Sequence, residues 1–235
     1  MIGEGEFIDQ INRAASLLVE LCLLEKQEYS PNRNVGAASF RGLSYRETWE
    51  RTFQLFAYDF VLVDQSLVHF KKTGTNEHNG CLGFSYLECP IEVQTYESFC
   101  ADWLEVGPLN EDYDEQLAEC GDLLRKDYEE YVNTCEAKPV TPIRYDYAPT
   151  DYVPGTHPAS HVHFGFKNEV RVATERILKP LSFVLLVVRQ RYSSEWMKLL
   201  EIDADRHRCR AVRRALDEVH EDYWSELDEH ELVLK

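Results

Sequence analysis

Apolar residues follow a period of two through Tyr58-Asp-Phe-Val-Leu-Val-Asp-Gln-Ser-Leu-Val-His-Phe70. Successive side chains of a strand point to opposite faces, so this period predicts β-structure. Asp64-Gln-Ser66 separates two short apolar runs, and Asp and Ser are typical turn residues. The segment therefore predicts a β-hairpin.

Helical periodicity occurs on both sides of this hairpin. Apolar residues recur at helical spacing in residues 4–28, and Ser44 with Glu47 forms a capping box for a helix from Tyr45 to about Phe56. The same two periods, together with the prolines, predict the remaining elements. They are a strand from Leu82 to Cys89, a short helix from Tyr96 to Trp103, helices over 114–137, 181–200 and 204–227, and an edge strand over 231–235.

The mixture of helices and strands, without an internal repeat, is typical of a mixed fold. We expect an α+β protein in which several long helices pack on a small, mainly antiparallel β-sheet. A chain of 235 residues suits a single compact domain over residues 1–235. A possible internal division lies near 138–143, where Pro139 and Pro142 follow a predicted helix.

The chain is strongly acidic, with a formal net charge of −17. Residues 86–136 hold fifteen Asp or Glu against two basic residues, and residues 217–231 hold eight acids without Lys or Arg. Five arginines lie between Arg206 and Arg214. The acids are either solvated helix faces or a surface that docks on a basic partner, and the arginines meet phosphate or the protein's own acids. Overall acidity disfavours a free-standing nucleic-acid binder.

Several classes of protein are disfavoured by missing signals. The chain has no apolar run of about 18 residues to cross a membrane and no secretory signal, so we expect a cytoplasmic protein without membrane association. Its seven cysteines include no C-x-x-C pair, which disfavours a cysteine metal site. A nucleotide-binding G-x-x-x-x-G-K-[ST] loop is also missing, so ATP hydrolysis would belong to a partner.

Residues that can carry chemistry concentrate in Arg144-Tyr-Asp-Tyr147 and His157-Pro-Ala-Ser-His-Val-His-Phe-Gly165. An alternating strand over 161–166 places His161 and His163 on one face. Such a cluster can transfer protons, bind phosphate or bind a metal. The candidate catalytic residues are His161, His163, His157, Asp146, Arg144 and Arg171. The sequence does not identify a cofactor. If the cofactor is a divalent metal, the candidate ligands are His157, His161, His163 and Asp146.

A set of ordered motifs across nearly the whole chain resembles a bacterial family of unknown function that is encoded beside a helicase in anti-phage defence loci. The resemblance implies a defence role, a helicase partner, and a glycine where this chain has Gln65. The motifs are the hairpin around Asp64, Phe84-Ser-Tyr-Leu-Glu-Cys-Pro90, Arg144-Tyr-Asp-Tyr147, the histidine motif, Arg171, Pro180-Leu-Ser-Phe183 and Arg191-Tyr192.

Two hypotheses of function follow. In the first, the protein is the nuclease (phosphodiesterase) effector of a helicase complex and reaches nucleic acid through that complex. His161 and His163 would be general acid and base, or metal ligands with His157 and Asp146, while arginines stabilise the phosphate. In the second, it is a non-catalytic acidic adaptor or regulatory subunit whose interface is formed by residues 97–136 and 217–231.

Simpler interpretations stand beside these hypotheses. Arg144 and Asp146 could form only a salt bridge, with the histidines bonded to a loop rich in Tyr145, Tyr147 and Tyr152. Asp64, Glu88 and Glu92, with Lys71 or Lys72, could offer a second, magnesium-type nuclease site, or Asp64 could simply form its turn. Histidines and Asp146 that converge on an open cleft would favour catalysis, and buried, satisfied rings would favour the adaptor.

Overall fold

The computed structural model of the chain describes residues 2–28, 40–74, 80–92, 94–110, 112–135, 137–167, 170–230 and 233–234. The chain separates into two compact units, of which the first comprises Met1–Glu88 with Thr141–Lys235 and the second comprises Cys89–Val140. The boundary at Val140 falls within 138–143, where the sequence suggested a possible division. Among the described helices, none combines the length and apolar composition that a membrane span requires.

The first unit is built on one β-sheet whose strands lie in sequence order. The first seven strands each pair antiparallel with the next, and the last strand pairs parallel with the seventh. In the described part of the chain, the strands are β1 (Leu24–Gln27), β2 (Phe60–Leu62), β3 (Leu67–Thr73), β4 (Cys81–Leu87), β5 (Ile143–Tyr147), β6 (Ser160–Phe164), β7 (Val170–Thr174) and β8 (Val233–Leu234).

Local sequence signals account for several helix starts. At the start of α2 (Tyr45–Gln54), Ser44 Oγ accepts from Glu47 N and Glu47 accepts from Ser44 N, which confirms the predicted capping box. Pro180 is the first residue of α5 (Pro180–Arg191), where its missing N–H costs no hydrogen bond. The helices of the first unit are α1 (Glu4–Glu20), α2 (Tyr45–Gln54), α5 (Pro180–Arg191), α6 (Ser193–Glu201) and α7 (Asp203–Arg214), and those of the second are α3 (Tyr96–Leu104) and α4 (Tyr113–Thr134).

The core of the first unit lies between one face of the sheet and the helices α1 and α5. Phe84 on β4 is at its centre, with its ring centroid 5.4 Å from those of Phe70 and Tyr145. Phe183 on α5 and Phe7 on α1 complete the contact at 5.7 Å and 6.3 Å. Because strand residues alternate between faces, the neighbours of these aromatic residues on β4 and β5 lie on the opposite side of the sheet.

The second unit contains α3 and α4 and has its own small cluster of buried side chains. Cys100, Tyr113 and Leu124 are buried there. The rings of Phe99 and Tyr128 meet edge to face at 5.1 Å. These contacts pair the two helices within the unit.

The predicted α+β class and the mainly antiparallel sheet are confirmed. The helix predicted over residues 4–28 is too long, because α1 ends at Glu20. Cys22 has a left-handed φ of 55°, and Leu23 N donates to Leu18 O at 2.8 Å, which closes the helix. Residues 24–27 form β1, an edge strand whose mostly exposed polar side chains carry no apolar period.

The helix predicted over residues 181–200 is two helices. Tyr192, with φ −123° and ψ 66°, separates α5 from α6. Its hydroxyl donates to Asp64 Oδ2 at 2.9 Å. This tertiary contact accompanies a break that the continuous apolar stripe does not reveal.

The last predicted helix, over residues 204–227, ends at Arg214. Beyond it, Glu218 forms a β-bridge with Arg176, and two short 3₁₀ turns follow over Glu221–Tyr223 and Asp228–His230. Polar, acidic residues fit an exposed loop as well as an exposed helix, so the sequence pattern did not separate the two. The predicted edge strand over 231–235 is present as β8, and residues 231, 232 and 235 lie outside the described residues.

The turn between β2 and β3 contains a residue in the left-handed region, since Gln65 has a φ of 64°. Glycine adopts this conformation without the steric cost of a Cβ atom. A glycine, which the family resemblance implies at this position, would not have this cost.

This turn gives a stability prediction. We expect Gln65→Val to be less stable than Gln65→Gly by about 1–2 kcal/mol, because a β-branched side chain is disfavoured at positive φ. Both variants lose the 2.6 Å hydrogen bond from Gln65 to Glu25, so their difference isolates the backbone effect. Urea denaturation measures it, and equal stabilities of the two variants would contradict the assigned turn.

Candidate functional site

Strand pairing assembles the polar face of the sheet. Asp146 on β5 lies opposite His161 on β6, and Arg144 lies opposite His163. His163 is also opposite Arg171 on β7. Directly opposed residues share a face and have Cβ atoms about 4.5–5.5 Å apart. The backbone register alone therefore brings together five of the six predicted site residues.

Asp146, His161 and His163 form the group that we call the Asp-His cluster. Asp146 Oδ2 lies 3.8 Å from His161 Nε2 and 3.5 Å from His163 Nε2. Their three potential ligand atoms lie within 4.8 Å of one another, and the described residues contain no other group of three or more such side chains. His161 and His163 are 2% and 1% exposed, whereas the Asp146 side chain is 29% exposed.

His161 has a defined tautomer. Its Nδ1 lies 2.7 Å from the carbonyl oxygen of Pro158, which can only accept a hydrogen bond, so Nδ1 carries the proton. Burial lowers the pKa of His161 and thereby favours the neutral ring. Its Nε2 then presents a bare lone pair on the side that faces Asp146.

His163 is the most unusual member of the cluster. Within the described part of the chain, neither of its ring nitrogens has a hydrogen-bond partner. Burial, followed by the positive charge of Arg144, lowers its pKa to about 3. A buried polar group without a partner costs about 1–3 kcal/mol. Such a cost is expected where a buried group serves a ligand rather than the fold.

An open cleft of about 440 Å³ reaches the cluster. Lys71, Arg144 and His157 line it together with Asp146 and His161. Gly83 on β4 lies opposite Asp146 and lines the cleft there. It has no side chain to fill the space. The cleft therefore combines cationic side chains with the exposed edge of the Asp-His cluster.

His157 reaches the cleft from the loop between β5 and β6. Its ring lies perpendicular to that of His161, with the centroids 5.1 Å apart. His157 Nδ1 is buried and has no hydrogen-bond partner among the described residues. His157 is thus next to the cluster without belonging to the close group of three ligand atoms.

Asp228 holds the loop that carries His157. It is fully buried and accepts from Tyr152 Oη at 2.6 Å, Gly155 N at 3.1 Å and Ser225 N at 2.8 Å. Burial raises the pKa of Asp228, but these hydrogen bonds outweigh burial and lower it below its ordinary value. The sequence analysis missed this residue, since nothing distinguishes Asp228 from the other acids of residues 217–231.

The simpler structural interpretation holds in part. Arg144 Nε does donate to Asp146 Oδ2 at 2.7 Å. Two of the three tyrosine hydroxyls, in contrast, bond elsewhere: Tyr145 bonds Ser160 and the backbone of Leu178, and Tyr152 bonds Asp228. Among the described residues, both ring nitrogens of His163 and Nδ1 of His157 lack a hydrogen-bond partner, whereas His161 is bonded through Nδ1. The geometry therefore combines features of both hypotheses.

Two of the three carboxylates of the predicted magnesium-type site, Asp64 and Glu88, have structural partners. Asp64 accepts from Ser66 N at 3.0 Å and from Tyr192 Oη at 2.9 Å, as a turn-forming aspartate would. Glu88 forms an ion pair with Arg191. This second arrangement therefore gains no support.

The arginines before the second acidic run partly meet the protein's own acids. Arg208 pairs with Glu20 at 3.0 Å and with Asp205 at 3.3 Å, and Arg206 pairs with Asp203. Of the two alternatives for these arginines, pairing with the protein's own acids is thus observed for Arg206 and Arg208.

The fold and the site define an α+β protein whose antiparallel sheet carries a cluster of two histidines and an aspartate on its polar face. A family model described as "Uncharacterized conserved protein (DUF2290)" matches residues 22–227. The chain belongs to this family, and the match spans the whole Asp-His cluster. Neither the curated proteins nor the solved structures contain a match to the chain.

The low pKa of His163 gives a prediction for the metal-free protein. Between its ordinary pKa of 6.5 and about 3, the unfolded chain binds a proton at His163 that the folded chain does not. The free energy of unfolding should therefore fall as the pH is lowered from about 7 to about 5. In His163→Gln this contribution is missing, and the fall should be shallower.

Urea denaturation across this pH range measures the slopes in protein treated with chelator. His207→Gln is the control, because His207 is exposed on α7. Equal slopes for wild type and His163→Gln would show that His163 is not held neutral.

Proposed function

We propose that the protein is a phosphodiesterase that cuts nucleic acid and acts with a helicase partner in anti-phage defence. The observation that carries the chemical part is the Asp-His cluster, in which two neutral imidazoles and a carboxylate converge beside a cleft that Lys71 and Arg144 line. The defence role and the helicase partner rest on the resemblance of the chain's ordered motifs to a family encoded beside a helicase.

The cations at the site suit a phosphodiester. Arg144 and Lys71 line the cleft, and Arg171 lies opposite His163. A phosphodiester carries a negative charge that grows on its oxygens in the transition state, and preorganised cations stabilise that charge. Loss of one such donor costs roughly 100–1,000-fold in rate in comparable sites. Arg144 and Arg171 are therefore assigned to the phosphate.

The neutral imidazoles can supply the remaining chemistry. The bare Nε2 of His161 can accept a proton from an attacking water or hydroxyl, and His157 at the cleft can return one to the leaving oxygen. Alternatively, the Asp-His cluster holds a metal ion that activates the water. Both routes use the same residues and the same cleft.

The helicase explains how an acidic chain would reach nucleic acid. With a net charge of −17, the protein is repelled by a free polyanion at long range. A partner that holds and unwinds the strand would deliver it to the cleft. ATP hydrolysis would belong to that partner, since this chain has no phosphate-binding loop.

The second candidate function is the non-catalytic adaptor, which the surface of α4 favours. This helix exposes a series of acids that could dock on a basic surface of the helicase. The other acidic segment expected at the interface differs from the prediction, because its described residues, 217–230, form no α-helix and Asp228 is buried. The exposed acids of α4 are Asp114, Glu115, Glu119, Asp122, Glu129 and Glu130.

The two functions predict different results for the complex of this chain with its helicase. Labelled single- and double-stranded DNA and RNA would be incubated with the complex, with and without ATP and divalent metal. We expect strand cleavage by the wild type and its loss in His161→Ala/His163→Ala. Arg171→Gln should reduce cleavage by about 100-fold, because it removes one phosphate contact.

His207→Ala is the matched control, since it removes a histidine far from the cleft residues in sequence and exposed on α7. It should cut like wild type. A stable complex that never cuts any substrate, but changes the ATPase rate of the helicase, would overturn the nuclease and support the adaptor.

A further inference from the structure

The geometry points to a transition-metal centre: we infer that Asp146, His161 and His163 bind one divalent ion of the zinc type, through Asp146 Oδ2 and the two Nε2 atoms. The catalytic role of this metal rests on the proposed function, whereas its binding does not. Three observations carry the inference, and each concerns atoms of the Asp-His cluster.

The first observation is the spacing of the ligand atoms. Ligands of a tetrahedral zinc ion, each about 2.0–2.1 Å from the metal, lie about 3.3 Å from one another. The distances from Asp146 Oδ2 are 3.5 Å to His163 Nε2 and 3.8 Å to His161 Nε2. Small side-chain rotations would therefore complete the coordination, without a change in the strand pairing that places the residues.

The second observation is the orientation of His161. Metal-bound histidines usually donate the other ring N–H to a carbonyl or carboxylate, which fixes the tautomer. His161 does so through its 2.7 Å hydrogen bond from Nδ1 to the Pro158 carbonyl. Its Nε2 lone pair and the Asp146 carboxylate consequently face each other at 3.8 Å, while Arg144 Nε donates to the same Asp146 oxygen at 2.7 Å. A cation between the two resolves this repulsion.

The third observation is the unsatisfied state of His163. It is 1% exposed, and Nε2 lacks a hydrogen-bond partner within the described residues although it lies 3.5 Å from Asp146 Oδ2. A structural histidine in a core would have its nitrogens paired. A metal bond at Nε2 gives this atom the partner that the fold does not provide.

The ligand types select the class of metal. Imidazole nitrogens suit zinc, copper, iron and nickel, whereas magnesium, calcium and manganese prefer oxygen ligands. Three protein ligands leave coordination positions open, as in catalytic rather than structural zinc sites. Because Asp146 and His161 border the cleft, an open position there could hold water and a phosphate oxygen, with His157 alongside.

Metal titration of the full chain, after treatment with chelator, tests the inference. Co²⁺ would be the probe because its visible absorption reports low coordination by nitrogen ligands, and Zn²⁺ and Mg²⁺ would be the competitors. We expect one Co²⁺ per chain, displaced by one equivalent of Zn²⁺ and not by excess Mg²⁺. Asp146→Asn, His161→Gln and His163→Gln should each weaken binding at least about 100-fold.

His207→Gln should bind like wild type and controls for the removal of an exposed histidine. Near-ultraviolet circular dichroism checks the fold, and the partly exposed Asp146→Asn variant keeps the test decisive if a buried-histidine variant unfolds. A wild type that takes up no Co²⁺ at a defined site, or cluster variants that bind it as tightly as wild type, would overturn the inference.

Activity then separates this inference from the proposed function. Co²⁺ or Zn²⁺ binding at the cluster without strand cleavage would support the metal centre and remove the phosphodiesterase. Cleavage that persists undiminished in excess chelator would support the phosphodiesterase and overturn the metal's role in it.

Discussion

The alternation of side chains along β5 and β6 is the constraint on which the site depends. Tyr145 and Val162 are fully buried in the core beneath α1 and α5. Their burial fixes the register, because a slip by one residue would exchange the two faces of each strand. With that register fixed, Asp146, His161 and His163 must lie together on the opposite face. The hydrophobic core thus positions the polar cluster.

The site also contains buried polar groups whose arrangement is energetically unfavourable. Two imidazoles are buried and neutral, and one of them, His163, lacks a hydrogen bond at both ring nitrogens within the described residues. A folded chain gains nothing from such groups unless a ligand completes them. Around the cluster, Arg144 and Lys71 add positive charge at the cleft. A cation bound at the cluster would give the His163 ring a partner, and a phosphate bound in the cleft would pair with Arg144 and Lys71.

Sequence reasoning predicted which residues lie together better than it predicted the boundaries of the elements. The residues of the site were predicted because the H-x-H spacing on a strand fixes their common face. The breaks at Cys22 and Tyr192 were missed, since backbone geometry and tertiary hydrogen bonds determine them rather than apolar periodicity. Asp228 was missed for a related reason: its role depends on a loop distant in sequence, and its neighbours are also acidic.

The most direct test of the central claim is a crystal structure of the full chain grown with Zn²⁺, with diffraction collected at the zinc absorption edge. The account predicts one strong anomalous peak on the polar face, about 2.0–2.2 Å from an Asp146 carboxylate oxygen and from Nε2 of His161 and of His163. A peak elsewhere alone, or histidine rings that instead pair with protein groups and leave the cluster without metal, would contradict it.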